Sequence, residues 1–283
     1  MADVAVVGGG AIGGWLAAGL ASAGHDVTLC VRTPVEQLFV DDVEVPLRIT
    51  ADPTEVGPVP WVLVATKAQD TASAQPWLDR LLGGDSTVVV VQNGLDHEER
   101  VQARSVLPAL AYAAVERIGP GRVRKHSLGW LEVPDTDRGR AFAELAGELK
   151  VNTVADFRTS AWRKLYANSA ANPITALTLS RMGQLITGEL RDLAARVLRE
   201  TIEVSVADGA DVDADAELAT VLERWASMDP AGGSSMLYDR MAGRPMEHEY
   251  ITGAVVRYAE RHGHPAPLNH TLLTLLRALD QNH

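Results

Sequence analysis

Between an apolar run at residues 3–7 (DVAVV) and an apolar stretch at 12–23 lies Gly8-Gly9-Gly10-Ala11-Ile12-Gly13, a G-x-G-x-x-G. Glycines are common, so the pattern alone says little. Its context says more, because it follows a β-branched run and opens a helical one that ends at Gly24. A second apolar run, VTLCV at 27–31, completes strand, helix, strand within about thirty residues, the span of a βαβ unit. Two further apolar runs, WVLVAT at 61–66 and STVVVVQ at 86–92, read as buried strands of a parallel sheet covered on both faces. Segments 109–117 and 129–133 extend the expected sheet at one edge.

From about residue 155 the pattern turns helical, at 160–172, 186–208, 214–227, 235–242, 247–262 and 268–280. Ser160, Asp213 and Asn269 are the expected helix starts, and Gly209, Gly243 and Gly263 the expected stops. A chain of 283 residues exceeds what one core usually fills. The expected architecture is therefore an α/β dinucleotide-binding domain of Rossmann type at 1–158, followed by an all-α domain at 159–283. No solenoid repeat or long low-complexity linker interrupts it.

In a βαβ unit each glycine of the loop has a task. Gly8 permits the tight turn, Gly10 lets a pyrophosphate approach the backbone, and Gly13 lets the helix pack close to the sheet. The phosphates then rest on the positive helix N-terminus, against Gly8, Gly9, Gly10, Ala11, Ile12 and Gly13. The second strand chooses the cofactor. An NAD binder carries Asp or Glu at its carboxyl end, on the ribose 2′-hydroxyl. Here that place holds Arg32, whose planar fork of donors suits a 2′-phosphate, so NADPH is expected over NADH. The third and fourth strands end in Thr66-Lys67 and Gln92-Asn93-Gly94, and ligands of such sheets gather outside the carboxyl ends of the strands. Thr66, Lys67 and Asn93 are thus expected at the cofactor.

Residues 160–172, SAWRKLYANSAAN, place Lys164 and Asn168 one helical turn apart, with Asn172 continuing the stripe. Only Arg163 and Lys164 are charged there, which favours the lining of a cleft over a solvated face. Addition of hydride to a ketone builds negative charge on oxygen, and an ammonium beside it stabilises that charge and donates the proton.

Composition excludes several alternatives. The net charge of -11 disfavours nucleic acid and anionic membranes as partners. The uncharged stretch Val4–Gly24 is preceded by Asp3 and broken by seven glycines, unlike an export signal. The single cysteine, Cys30, rules out an intrachain disulfide and reads as an inert core thiol of a cytoplasmic protein. No His, Asp and Glu set has metal-ligand spacing, so no metal is expected.

GGGAIGG at 8–14, Arg32, ATK at 65–67, QNG at 92–94, WRKLYANSAANPITAL at 162–177 and GRPMEHEYITGAVVRYAERHGHPAP at 243–267 together resemble the ketopantoate reductases (2-dehydropantoate 2-reductases). The first motif is shared by many families; the last two are far more specific. The resemblance implies NADPH-dependent reduction of a 2-oxo acid, 2-dehydropantoate first among them, with Lys164 as proton donor. It implies that Glu247 holds the substrate hydroxyl and contacts that lysine, and that Asn93, Asn168 and Asn172 position substrate and nicotinamide. It implies that Ser235 holds the substrate carboxylate, with Ser234 the alternative, and that Lys67 lies near the cofactor. Ser235 and Glu247 are expected on consecutive helices joined by a turn at Gly243. Where the family usually reads T-E-I-D-Y-x-N-G, this chain carries Met246, His248, Glu249 and Thr252 around the shared Glu247, Tyr250 and Gly253. Another 2-oxo acid or an imine therefore stays open as substrate, and a dinucleotide-binding regulator without turnover is the remaining alternative. The oligomeric state is open, a homodimer included.

Overall fold

The structure is a computed structural model that describes residues 1–281. By internal contacts the chain divides into two compact units. Residues 1–92 and 96–157 form the first; residues 93–95 and those from Arg158 onward form the second.

The first unit runs β1 (Asp3–Val7), α1 (Ala11–Ser22), β2 (Asp26–Cys30), β3 (Leu38–Val40), β4 (Val43–Val45), β5 (Arg48–Thr50), β6 (Trp61–Val64), α2 (Gln75–Leu81), β7 (Thr87–Val91), β8 (Val106–Tyr112), β9 (Val115–Gly119), β10 (Arg122–Lys125), β11 (Trp130–Pro134), α3 (Asp137–Ala146) and β12 (Val151–Val154). Eight strands form one sheet in the order β12-β11-β8-β7-β6-β1-β2-β5. From β5 to β8 every pair is parallel; β11 then joins β8 antiparallel, and β12 runs parallel to β11.

Strand periodicity explains why both faces are dry. Val4, Val6, Leu29, Leu63, Val89 and Val91 point to one side, where Trp15, Leu16 and Leu20 of α1 and Phe142 of α3 cover them. Ala5, Val7, Cys30, Val62, Val64, Val88 and Val90 point to the other, under Trp77, Leu78 and Leu81 of α2. Cys30 is buried there, and burial pushes its thiol up to about 12. That is the inert core thiol expected from its place in an apolar strand.

A four-stranded sheet, β4-β3-β10-β9, was not foreseen. Its strands are short, and β4 and β9 are largely exposed, so they lack the long apolar runs by which the main strands are read. The expected edge segment 109–117 is accordingly two pieces: β8 ends at Tyr112, and β9 belongs to the smaller sheet. Helices α2 and α3 were also unforeseen. Helix α2 has only seven residues, and α3 is mostly polar outside Phe142 and its small neighbours.

The second unit is helical: α4 (Phe157–Thr178), α5 (Gly188–Ala207), α6 (Ala214–Ala226), α7 (Ser235–Met241), α8 (Thr252–His262) and α9 (Pro267–Asp280). Asp213 caps α6 through its side chain, which accepts from the Ala216 amide at 2.8 Å. Two expected starts are corrected. Helix α4 begins at Phe157, so Ser160 lies within its first turn. Helix α9 begins at Pro267, and its first amides are satisfied from outside. The Glu200 carboxylate of α5 accepts from the amides of Leu268 and Asn269 at 3.0 Å each, a favourable anion at a helix N-terminus. The stop at Gly263 takes the left-handed conformation, with φ of 62°.

Asp208, just past α5, organises this core. It accepts two bonds from Arg158, at 2.7 and 2.9 Å, one from the Trp162 indole at 2.9 Å and a contact with His262 Nε2 at 2.8 Å. Tyr166 lies beside it on α4, bonded to Ser205 at 2.6 Å, and burial raises its hydroxyl to about 12. These contacts fix α4 against α5 and α8 and so set which face of α4 stays accessible.

Candidate active site

The glycine loop is built as its spacing demands. Gly8 has φ of 118°, a conformation that disfavours side chains, and its amide donates to the Cys30 carbonyl at 2.9 Å. A Cβ on Gly13 would stand 1.8 Å from the Gly8 oxygen, so only glycine lets α1 close on the loop. A Cβ on Gly10 would meet nothing within 4 Å. Gly10 is also the N-cap of α1 and caps it without a side-chain bond. Its Cα thus faces open space beside the first free amides of a twelve-residue helix, which is the room a phosphate needs.

The strands flanking β1 deliver their carboxyl ends to the same edge. Beyond β2, Val31 bonds the Thr50 carbonyl at 2.9 Å, and the next residue, Arg32, is exposed. Beyond β6, Thr66 is held by Gln92, whose Nε2 donates to the Thr66 carbonyl at 3.1 Å and to its hydroxyl at 3.0 Å. Gln92 also donates to Thr71 at 2.8 Å and accepts from Arg100 at 3.1 Å, while its carbonyl meets His97 Nε2 at 2.8 Å. Gln92 thereby locks the ends of β6 and β7 together. The sequence places Gln92 at the end of the fourth strand but gives no sign of this locking role, because its partners Thr71, His97 and Arg100 carry no local signal. Lys67, half-buried, precedes a 3-10 segment, Ala68–Ala74, whose Asp70 amide bonds the Lys67 carbonyl at 2.9 Å.

Within the second unit, the Asn93 amide donates to the Glu247 carboxylate at 3.0 Å, joining two predicted residues 154 positions apart. Glu247 is buried, only 8% exposed. It lies in the turn before α8, not on a helix as expected, since α8 begins at Thr252. The amides of Tyr250 and Ile251 both bond its carbonyl at 3.1 Å. On α4, Lys164 and Asn168 are half-buried and Asn172 is buried at 3% exposure. The Asn172 Nδ2 has no hydrogen-bond partner, an expensive state for a buried amide.

The two serines part company. Ser234 is the N-cap of α7, accepting from the Leu237 amide at 3.1 Å and bonded to Thr175 of α4 at 2.7 Å. Its hydroxyl is occupied with structure. Ser235, the first residue of α7, is exposed. The altered residues also sort themselves. Glu249 is gripped by Arg277 of α9 at 2.5 and 2.9 Å, and that hydrogen-bonded guanidinium, the largest influence on it, holds its carboxyl below the usual range. His248 Nδ1 and Thr252 Oγ1 are buried without partners.

A doubly wound sheet with a glycine loop at the start of α1, in a chain whose second unit is helical and carries Lys164 and Glu247, is the make-up of a dinucleotide-dependent oxidoreductase. Residues 4–138 match the model of "Ketopantoate reductase PanE/ApbA", and residues 156–280 that of its C-terminal part. The chain is 37% identical to the 2-dehydropantoate 2-reductase of Caulobacter vibrioides, over 98% of this chain and 99% of that one. Among solved structures, the PanE/ApbA family ketopantoate reductase of Ralstonia eutropha superposes with a TM-score of 0.89 at 29% identity, covering 99% of each chain. The dimeric ketopantoate reductase of Staphylococcus aureus does so with 0.91 at 25%, also over 99% of each. The chain belongs to the ketopantoate reductase family.

Proposed function

We propose that this protein reduces 2-dehydropantoate to pantoate with NADPH. The observation that carries the reading is the buried Glu247 carboxylate, fixed by Asn93, in the unit whose α4 presents Lys164 and an unpartnered Asn172 amide. A buried acid and an open amide suit a ligand with both a hydroxyl and a carboxylate. On this reading Glu247 accepts the substrate hydroxyl, and Asn168, Asn172 and Ser235 orient the carboxylate and carbonyl. Lys164 stabilises the charge that develops on the ketone oxygen and donates the proton to it.

The residues of the glycine loop fit a dinucleotide, since Gly10 leaves open space at the N-terminus of α1, where a side chain would intrude on a phosphate. When bound, the nicotinamide supplies the hydride. Gly8 to Gly13 would hold the pyrophosphate and the exposed Arg32 the 2′-phosphate, which favours NADPH over NADH; Thr66, Lys67 and Asn93 would line the remainder. The domains on this reading are 1–158 for the cofactor and 159–283 for substrate and catalysis. The setting proposed is the reducing cytoplasm, with a homodimer as the assembly. No helix among the described residues is long and apolar enough to cross a membrane.

A second reading keeps the reduction and changes the acid. It is favoured by His248 Nδ1 and Thr252 Oγ1, buried polar atoms without partners at two positions that depart from the usual motif. Steady-state oxidation of NADPH and NADH with a panel of 2-oxo acids separates the cases. Highest kcat/KM for 2-dehydropantoate with NADPH is expected. A different best acid establishes the second reading, and no turnover with any acid establishes a binding protein.

A further inference from the structure

We infer that the Arg277–Glu249 ion pair is a positioning device for Glu247, an inference that rests on the substrate-binding role proposed for that acid. Glu249 lies two residues after Glu247 in the turn that leads into α8, and it is held at both ends. Its carboxylate takes a two-point grip from Arg277 of α9, at 2.5 and 2.9 Å. Its carbonyl accepts from Arg257 of α8 at 2.9 Å. The turn between is closed by the amides of Tyr250 and Ile251 on the Glu247 carbonyl and by that of Gly253 on the His248 carbonyl, at 2.9 Å. The peptide that carries Glu247 therefore has little freedom to rotate, and its carboxylate stays on Asn93.

Stability does not account for so exacting an arrangement. Arg277 and Glu249 side chains are 50% and 40% exposed, and pairs so open to solvent contribute little to folding. What a forked guanidinium gives beyond a point charge is direction. Gly253 supports the same reading. A Cβ there would stand 3.0 Å from the Glu249 carboxylate and 3.4 Å from the Arg257 guanidinium, so a side chain at this position would push on both partners of the clamp. His248 adds a weaker contact, its Nε2 standing 3.5 Å from the Glu249 carboxylate.

The test is a kinetic comparison of Arg277→Met, Arg277→Lys, Glu247→Gln and the Glu247→Gln/Arg277→Met double variant, on the best 2-oxo acid and NADPH. Misplacing a binding group by a fraction of an ångström is enough for Arg277→Met to raise KM for the acid about tenfold, with KM for NADPH unchanged. Arg277→Lys should recover part of the loss, because the charge remains and the fork does not. In the Glu247→Gln background Arg277→Met should add nothing. Unchanged KM in Arg277→Met, or a loss that adds in full to that of Glu247→Gln, overturns the positioning role even if Glu247→Gln is itself impaired. If Glu247→Gln binds the acid normally, the role proposed for Glu247 falls first, and that result is distinguishable from the other two.

Discussion

On the proposed function, the glycine loop of the first unit and the turn before α8 in the second serve recognition by opposite means. The loop presents backbone: a Cβ on Gly8 or Gly13 would collide with neighbouring backbone, while Gly10 leaves open space beside the start of α1. The turn presents a side chain: Asn93 holds the Glu247 carboxylate, while Arg257 and Arg277, from α8 and α9, hold its neighbour Glu249. A backbone site is specified within a few residues. A side-chain site is specified by the packing of a whole unit, so single substitutions should spare the first kind unless they add bulk, and should weaken the second kind even from outside it.

The largest effect expected from this contrast is at Lys164. Replacing it by Ala should lower kcat by about 10²–10⁴-fold, the range for a positioned proton donor, while NADPH affinity, measured by fluorescence titration, changes far less. Loss of NADPH affinity in proportion to kcat would show that Lys164 belongs to the cofactor site.

Next come two substitutions in one loop with different outcomes. Gly13→Ala puts a Cβ 1.8 Å from the Gly8 oxygen and should lower the unfolding temperature markedly. Gly10→Ala places its methyl in open space and should leave the unfolding temperature intact while NADPH binding is lost. Equal effects of the two on folding would remove the distinction between packing glycine and ligand glycine.

Arg32→Ala should weaken NADPH by about tenfold, the scale of one charge-assisted bond at an exposed site, and leave NADH nearly unchanged. Parallel losses for both cofactors would show that Arg32 does not read the 2′-phosphate.

The smallest effect is on stability against pH. Glu249 has its carboxyl held below the usual range, chiefly by the hydrogen-bonded Arg277. A lowered carboxylate contributes stability above the ordinary carboxylate range and loses it as pH falls through the folded value. With both side chains more than a third exposed, the contribution is about 1 kcal/mol or less. Denaturant unfolding of the protein and of Glu249→Gln should therefore differ slightly at neutral pH and converge in acid.

The same contrast explains what sequence reading could and could not reach. The parallel sheet was legible because its buried strands are continuous apolar runs, and the helical unit because its apolar spacing persists over long segments. The smaller sheet escaped because three- to five-residue strands with exposed faces have no period to read. Lys164, Asn168 and Asn172 share one helix and could be read as a stripe. The Asn93–Glu247 bond crosses 154 positions, and the Glu249–Arg277 grip crosses 28, so neither could be. Glu249 stands out in the sequence only as a departure from the family motif; its carboxylate is held by Arg277 of α9. Ser234 and Ser235 were indistinguishable as neighbours until the N-cap of α7 claimed one of them.

The central claim is hydride transfer from nicotinamide to a 2-oxo acid, and isotope transfer tests it most directly. The protein would be incubated with NADPH carrying deuterium at both C4 positions and with 2-dehydropantoate, and the product weighed by mass spectrometry. One deuterium at C2 of pantoate is the predicted result. Pantoate without deuterium, or no reduced product from this or any other 2-oxo acid, would contradict it.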